Sequence, residues 1–315
     1  MTKDFHHISV LYEEVLEGLQ IRPDGIYVDG TLGGAGHSEG ILKRLTKGGT
    51  LIGIDQDPVA LEAAKRRLSS YGDQFIPAKA NYQDFERVLD ELGIEKVDGF
   101  LLDLGVSSVQ FDDAERGFSY RYDAPLDMRM SDEAIPTAKN LVATLSEQEL
   151  TKIFRDYGEE RWAARVASFI VKKRKETPIE TTGELVEVIK AAIPKGARRN
   201  GGHPAKRIFQ GLRIAVNDEL GVLERSLPKM IGRLQKGGRI AVITFHSLED
   251  RIVKEAFKEA YRDCICPPES PICTCDKVRE IDIITRKVIV PTKEELEANP
   301  RSHSAKLRIA EKIVD

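Results

Sequence analysis

The chain is predicted to be an α/β protein, a parallel sheet interrupted by an inserted helical domain, on three observations. Between Ile26 and Leu104 short apolar runs alternate four times with helical patterns, which calls for parallel strands joined by right-handed crossovers. From about residue 110 to residue 211 no comparable apolar run occurs, and amphipathic helical patterns are separated by Gly and Pro. The sheet pattern then resumes with a helical stretch and the apolar run 239–245. These breaks divide the chain into 1–109, the first part of the sheet domain, 110–211, the insertion, and 212–315, the second part.

Taken in order, residues 9–19 form a helix with Leu11, Val15 and Leu19 on one face, and Pro23-Asp24-Gly25 turns into a strand at 26–29. A helix over 37–45 ends at the basic, glycine-containing Lys47-Gly48-Gly49. After a second strand at 50–54, Asp57-Pro58 opens a helix with Ala60, Leu61, Ala64 and Leu68 facing inward. A third strand lies at 74–78, with Tyr82 just beyond it, and a helix at 84–92. The fourth strand, 97–104, is continuously apolar as a doubly covered parallel strand should be, with Asp98 and Asp103 at its two ends. The insertion holds helices at 144–157, 162–175 and 182–193. A helix at 217–234, the turn Lys236-Gly237-Gly238, the fifth strand and a helix at 248–261 follow, then a cysteine-bearing loop and short strand candidates at 281–290 and 305–313.

The chemistry concentrates in residues 26–57, which read strand, glycine loop, helix, strand, acid. Asp55 lies 22 positions after Gly33, near the spacing at which nucleotide folds hold ribose hydroxyls with a carboxylate. Glycines let the backbone approach a ligand, and the helix start offers unpaired N–H groups. The dinucleotide spacing G-x-G-x-x-G is missing. Instead, D-G-T-L-G-G-A-G-H resembles the first motif of class I S-adenosylmethionine (SAM) methyltransferases. Asp29 is placed to counter the cationic groups of such a ligand, directly or through loop N–H groups it orients. Open α/β sheets bind ligands beyond the carboxyl ends of their strands, which gathers Gly33, Asp55, Tyr82, Asp103 and Phe245-His246-Ser247 at one rim. The insertion leaves from that rim, so it can lie over the site.

Composition is that of a globular protein, 41% hydrophobic and 31% charged with net charge −3, and no apolar run is long enough for a membrane span. The N-terminus lacks a secretory core, so a cytoplasmic location is expected. Charge is unevenly spread: residues 160–215 hold 13 Lys or Arg against 5 Asp or Glu. A basic segment on an acidic body suits either a polyanion or a solvated helical face. Arg198, Arg199, Lys206 and Arg207, beside glycines and His203-Pro204, suit phosphate contacts. Trp162 and Phe169 read as core, and Lys172 to Lys175 as a solvated helix end.

The stretches DGTLGGAGHS, IDQDP, LLDLGVSS, DDAERGFSY, PLDMRM, HPAKRIFQGLRI and FHSLEDRIVK resemble the RsmH (MraW) family of ribosomal RNA cytosine-N4 methyltransferases, from HHISVLYEE to NPRSHSAKLRIAEK. The resemblance implies a class I SAM-dependent methyltransferase (Rossmann-like) sheet with an inserted helical substrate-recognition domain. It further implies SAM as cofactor and, as substrate, a cytidine in the decoding region of 16S ribosomal RNA, in the small ribosomal subunit. Cofactor contacts are carried over to Ala35, Gly36, His37, Asp55, Tyr82, Asp103 and Gln110, beside Gly33 of the loop.

Asp103 has two roles open to it, holding the cofactor or accepting a hydrogen bond from the cytosine amine. The Pro-Pro-aromatic that follows this acid in many amino-methyltransferases is replaced by Leu104-Gly105-Val106-Ser107-Ser108, so a base-stacking ring has to come from Phe111, Phe118 or Phe245. His37 makes either a helix-start hydrogen bond or a cofactor contact, and the resemblance favours contact. His246 and Ser247 either touch the base or cap the helix behind them. Cys264, Cys266, Cys273 and Cys275 have the number of a zinc knot, but one residue within each pair instead of two to four, so reduced thiols are the expectation and no metal is assigned. Two other functions compete: an RNA-binding ribosome assembly factor with a vestigial site, and a SAM methyltransferase acting on something other than RNA. The oligomeric state is left open.

Overall fold

The structure is a computed structural model that describes residues 9–107, 110, 113–197, 203–267 and 272–315. It divides into two units, one of Met1–Gly105 with Leu220–Asp315, the other of Val106–Glu219.

The first unit is built on a seven-stranded sheet in the order β3-β2-β1-β4-β5-β7-β6. The strands are β1 (Ile26–Asp29), β2 (Thr50–Asp55), β3 (Phe75–Lys79), β4 (Val97–Asp103), β5 (Leu234–Thr244), β6 (Ile281–Ile283) and β7 (Lys306–Lys312). β1 to β5 pair in parallel, as the alternation with helices requires. The last two strands, whose direction the sequence left open, are antiparallel: β7 pairs with both β5 and β6. This is the class I methyltransferase (Rossmann-like) frame that the glycine loop led us to expect.

Successive strand residues point to opposite faces, and here both faces are covered. Val28, Ile52, Phe100, Leu102 and Val242 enter one core, and Tyr27, Leu51, Leu101, Ala241 and Ile243 enter the other. That double burial is why the strands read as unbroken apolar runs. Helices α1 (Tyr12–Leu19), α2 (Gly36–Leu42) and α3 (Pro58–Arg67) supply Leu16, Ile41 and Leu61 to the second core. Helix α4 (Phe85–Glu91) faces the first, where Phe85 meets Phe100 edge-on with ring centroids 5.2 Å apart. Asp57 caps α3 by accepting from Val59 N–H, and Pro58 occupies the first helical position, where its missing N–H does no harm.

The expected turn Lys236-Gly237-Gly238 instead lies inside β5. Its residues are extruded as a bulge opposite β4, where the register shifts between Val97 and Gly99 and Gly237 takes φ 79°. A glycine pair that reads as a break is tolerated in the strand because residues 235–238 of β5 stand opposite the single residue 98 of β4, so the extra residues leave the ladder.

The second unit is helical, with α5 (Ala138–Thr144), α6 (Glu147–Asp156), α7 (Ala163–Glu176), α8 (Thr182–Ala192) and α9 (Ala205–Asn217). Thr137, Ser146 and Thr181 each open a helix with a reciprocal capping box, worth about 1 kcal/mol apiece. Phe154, Val166, Ile170, Leu185, Ile208 and Leu212 fill its own core, with Trp162 and Phe169 packed against it. Helices α5 and α9 are absent from the sequence-based scheme. α9 was hidden by Gly211, which reads as a break but lets the helix lie close to the backbone of Gly158. Because α9 packs within this unit, its limits are wider than the expected 110–211. The chain re-enters the first unit through α10 (Glu219–Arg233), and α11 (Ser247–Tyr261) follows β5. α12 (Lys293–Ala298) precedes β7. No helix among the described residues is long and apolar enough to cross a membrane.

Candidate functional site

Four strands of the first unit end together, and each brings a polar residue to its carboxyl end. β1 ends in Asp29, which is 2% exposed and already occupied: Oδ1 accepts from Thr31 N–H at 3.1 Å and Oδ2 from the Ser38 hydroxyl at 2.7 Å. It thus ties the start of the glycine loop to α2, so its influence on a ligand runs through the loop N–H groups. Burial raises its carboxyl to about 6, with the Ser38 and Thr31 hydrogen bonds opposing.

Asp55 ends β2 and reaches back to the loop. Its Oδ2 accepts from Gly33 N–H at 2.8 Å and its Oδ1 from Asp57 N–H at 2.9 Å. Each carboxylate oxygen keeps a second lone pair, so the half-buried Asp55 can still accept from ligand hydroxyls. Enclosure raises it to about 6, against the two N–H donors that favour the charge. The loop itself is fixed by Ala35, which takes the left-handed φ of 58° as it starts α2, and by Gly36, where any Cβ would collide with the Ser9 hydroxyl. Outside, Arg67 clamps the loop by donating to the Gly34 carbonyl at 2.8 Å and to Glu39.

Asp103 ends β4. Its N–H donates to Thr31 Oγ1 at 2.6 Å, which joins the strand end to the glycine loop. Its Oδ2 stands 3.6 Å from His37 Nδ1, and its Oδ1 is enclosed with no hydrogen-bond partner among the described residues. Burial, then the charges of Asp29 and Glu249, push this carboxyl up to about 8. An unpartnered buried carboxylate oxygen costs about 1–3 kcal/mol, so it marks a place where a ligand group belongs. By contrast Asp98, at the other end of the same strand, is consumed structurally by Ile26 N–H and Arg22.

His37 is buried, with Nε2 2.9 Å from the Val10 carbonyl. A carbonyl only accepts, so Nε2 carries the proton and Nδ1 faces Asp103. The helix-start hydrogen bond and a place beside the site therefore coexist, since the two ring nitrogens serve different neighbours. Tyr82 follows β3, half-buried beside Gly30 at the root of the loop. Next to it, Asn81 donates to Gln56 at 3.0 Å and ties the ends of β2 and β3; neither residue was singled out from the sequence, although each sits next to one that was, Tyr82 and Asp55. Gly33, Ala35, Gly36, His37, Asp55, Tyr82 and Asp103 thus share one rim. Gln110 belongs to the helical unit, where its amide accepts from Ser107 N–H at 3.1 Å and approaches the Met130 carbonyl at 3.4 Å.

At the end of β5, His246 caps α11 in a reciprocal box with Glu249, whose carboxylate also accepts from Phe245 N–H at 2.8 Å. The capping alternative for His246 is realised, because the helix needs its first N–H groups satisfied. Of the three rings considered for base stacking, Phe118 lies in the core of the helical unit, Phe111 falls outside the described residues, and Phe245 stands half-buried at the rim. Arg198 and Arg199 also fall outside the described residues, whereas Lys206 and Arg207 are exposed on the first turn of α9.

Fold and rim together present a glycine loop at the carboxyl end of a parallel α/β sheet, braced by the acid of the next strand. The chain matches the model of the MraW methylase family over residues 4–313, and it belongs to that family. It is 58% identical over 310 residues to the ribosomal RNA small subunit methyltransferase H of Heliobacterium modesticaldum, covering 98% of this chain and 99% of that one. It is 57% identical to the protein of the same name from Clostridioides difficile, over 98% of this chain and all of that one.

Proposed function

We propose that this protein transfers a methyl group from SAM to the exocyclic N4 of a cytidine in the decoding region of 16S ribosomal RNA, presented within the small ribosomal subunit. The observation that carries the site is the pair of strand-end acids: Asp55, braced on the glycine loop, and Asp103, with an enclosed oxygen left without a partner. Family membership and the names of the relatives support the reaction and the RNA.

The residues present fit SAM. Asp55 accepts from ribose hydroxyls with its remaining lone pairs, and Asp103 supplies the negative charge wanted beside a cation. SAM brings an activated methyl group, so the protein's task is largely positioning. Its amine acceptor is a weak nucleophile, and the base has to leave any paired helix to reach the rim. Asp103 serves mainly the cofactor side, because its neighbours, Thr31 and His37, belong to the cofactor loop. In this reading Phe245, half-buried at the end of β5, stacks on the base, and Tyr82 lies on the cofactor side beside Gly30. Residues 160–215 of the helical unit, with 13 Lys or Arg against 5 Asp or Glu and with Lys206 and Arg207 exposed, take the RNA phosphates.

Mass-spectrometric mapping of methylcytidine in ribosomal RNA from cells with and without the protein tests this directly. One N4-methylcytidine in the decoding region should vanish with the protein and return when purified protein and SAM are added to small subunits from the deficient cells. An unchanged methylation map sinks the proposal.

A further inference from the structure

The loop between α11 and β6 contains a feature that methyl transfer does not use. Its two Cys-x-Cys pairs lie on opposite arms, and the arms are closed at their base by Glu280 N–H donating to the Ala260 carbonyl at 2.8 Å. The four sulfurs converge. Cys264 and Cys273 are 3.5 Å apart, Cys273 and Cys275 3.6 Å, Cys264 and Cys275 3.8 Å, and Cys266 and Cys273 3.9 Å. All four sulfur atoms lie within 4.8 Å of one another.

We infer that Cys264, Cys266, Cys273 and Cys275 form a structural tetrathiolate site for one zinc ion. A tetrahedron with Zn–S bonds of about 2.3 Å sets its sulfurs about 3.8 Å apart, which is the spacing found. Disulfides need about 2.05 Å, and an iron–sulfur cubane holds its thiolates farther apart than these. Backbone N–H groups already point at the sulfurs: Ile265 at Cys275, Cys266 at Cys264 and Thr274 at Cys266, at 3.3 to 3.4 Å. Such donors offset thiolate charge around a bound metal. Ligand spacing of one residue, unusual within a single zinc knuckle, is no obstacle when each pair supplies one edge of the tetrahedron.

The loop also needs a fastening. Ile265 and Ile272 are 58% and 73% exposed, so apolar burial does not hold the arms together. A metal cross-link supplies what the missing core cannot, as in other small segments. The site hangs from the end of α11 and the start of β6, away from the strand-end acids, so it acts on the stability of this loop and stands apart from the proposed chemistry.

Elemental analysis of the full-length protein, purified without chelators, should find about one zinc per chain. Zinc should be released on titration of the thiols with an organomercurial, as read with a chromogenic chelator. After metal removal under reducing conditions, Co²⁺ alone should give the intense visible absorption of a tetrahedral thiolate site, and Zn²⁺ should bleach it. The Cys264→Ser/Cys273→Ser variant should lose at least about tenfold of the metal while keeping the wild-type circular dichroism spectrum. Metal-free protein that gives no cobalt spectrum when reduced overturns the assignment, as does protein isolated with these cysteines in two disulfides. The wild-type cobalt titration decides the matter even where the variant fails to fold.

Discussion

Asp103→Asn isolates the charge at the end of β4 with little change of shape. In the ligand-free protein its carboxyl, pushed up to about 8, is largely protonated at neutral pH, because Oδ1 is enclosed without a partner and Asp29 and Glu249 repel its charge. A cationic ligand favours the ionised form, so binding below pH 8 must release this proton. Linkage then tightens SAM binding as pH rises toward 8, by at most about tenfold per unit, and the trend levels off above it. The variant lacks that proton and should lose this part of the dependence. The ligand's own titration is common to both proteins and cancels in the comparison. At pH 8.5 the missing charge should weaken SAM by about 1.5–3 kcal/mol, roughly 10- to 150-fold. The sign for stability is opposite. The folded carboxyl titrates above its unfolded value, so the folded state binds more protons between about pH 4 and 8 and loses stability across that window. Ligand-free variant should therefore be more stable than wild type at pH 8.5, by about 1–3 kcal/mol. Calorimetric titration with SAM at pH 6.5, 7.5 and 8.5, with chemical unfolding at the same pH values, measures both effects. Equal affinity and equal pH dependence in a folded variant would refute the cofactor role. Single-turnover methylation completes the test: a rate that stays roughly 10²-fold low at saturating SAM assigns Asp103 to the amine instead.

Asp55→Ala should weaken SAM binding by about 1.5–3 kcal/mol and loosen the loop, since Gly33 and Asp57 N–H lose their acceptor; an unchanged dissociation constant in a folded variant removes Asp55 from the site. Gly36→Ala should lower both stability and SAM affinity through its collision with the Ser9 hydroxyl, and adding Ser9→Ala should restore part of each in a double-mutant cycle. A strictly additive pair would place the strain elsewhere. Reversing the charges of Lys206 and Arg207 to Glu should weaken RNA binding and flatten its dependence on salt while leaving SAM affinity near wild type; an unaltered salt slope would take these residues off the RNA. Because Asp29 and Asp55 are also raised, to about 6, the ligand-free protein should be most stable at mildly acidic pH, its melting temperature falling between pH 4 and 8. A maximum near pH 8 would contradict the enclosure of these three acids.

Local pattern determined the sheet domain's first half. Strands covered on both faces must be continuously apolar, so β1, β2 and β4 announce themselves, and an acid closing each one stands out against that background. The same contrast made Asp55 and Asp103 legible, along with the glycine loop between them. Other features depend on contacts between residues distant in sequence. Asp98 and Asp103 look alike as acids at the ends of one strand, yet the fold spends the first on Ile26 and Arg22 and leaves an oxygen of the second without a partner. Gly211 and Gly237 carry the local signature of a break; a close helix contact and a strand bulge, both made by partners far along the chain, reverse it. The antiparallel β7 enters between β5 and β6 because hydrogen-bond pairing, which no short window of sequence encodes, sets its neighbours. The cysteines show the same division: their number is written in the sequence, but the distance between two arms of a loop is a tertiary quantity, and that distance makes four thiols a metal site.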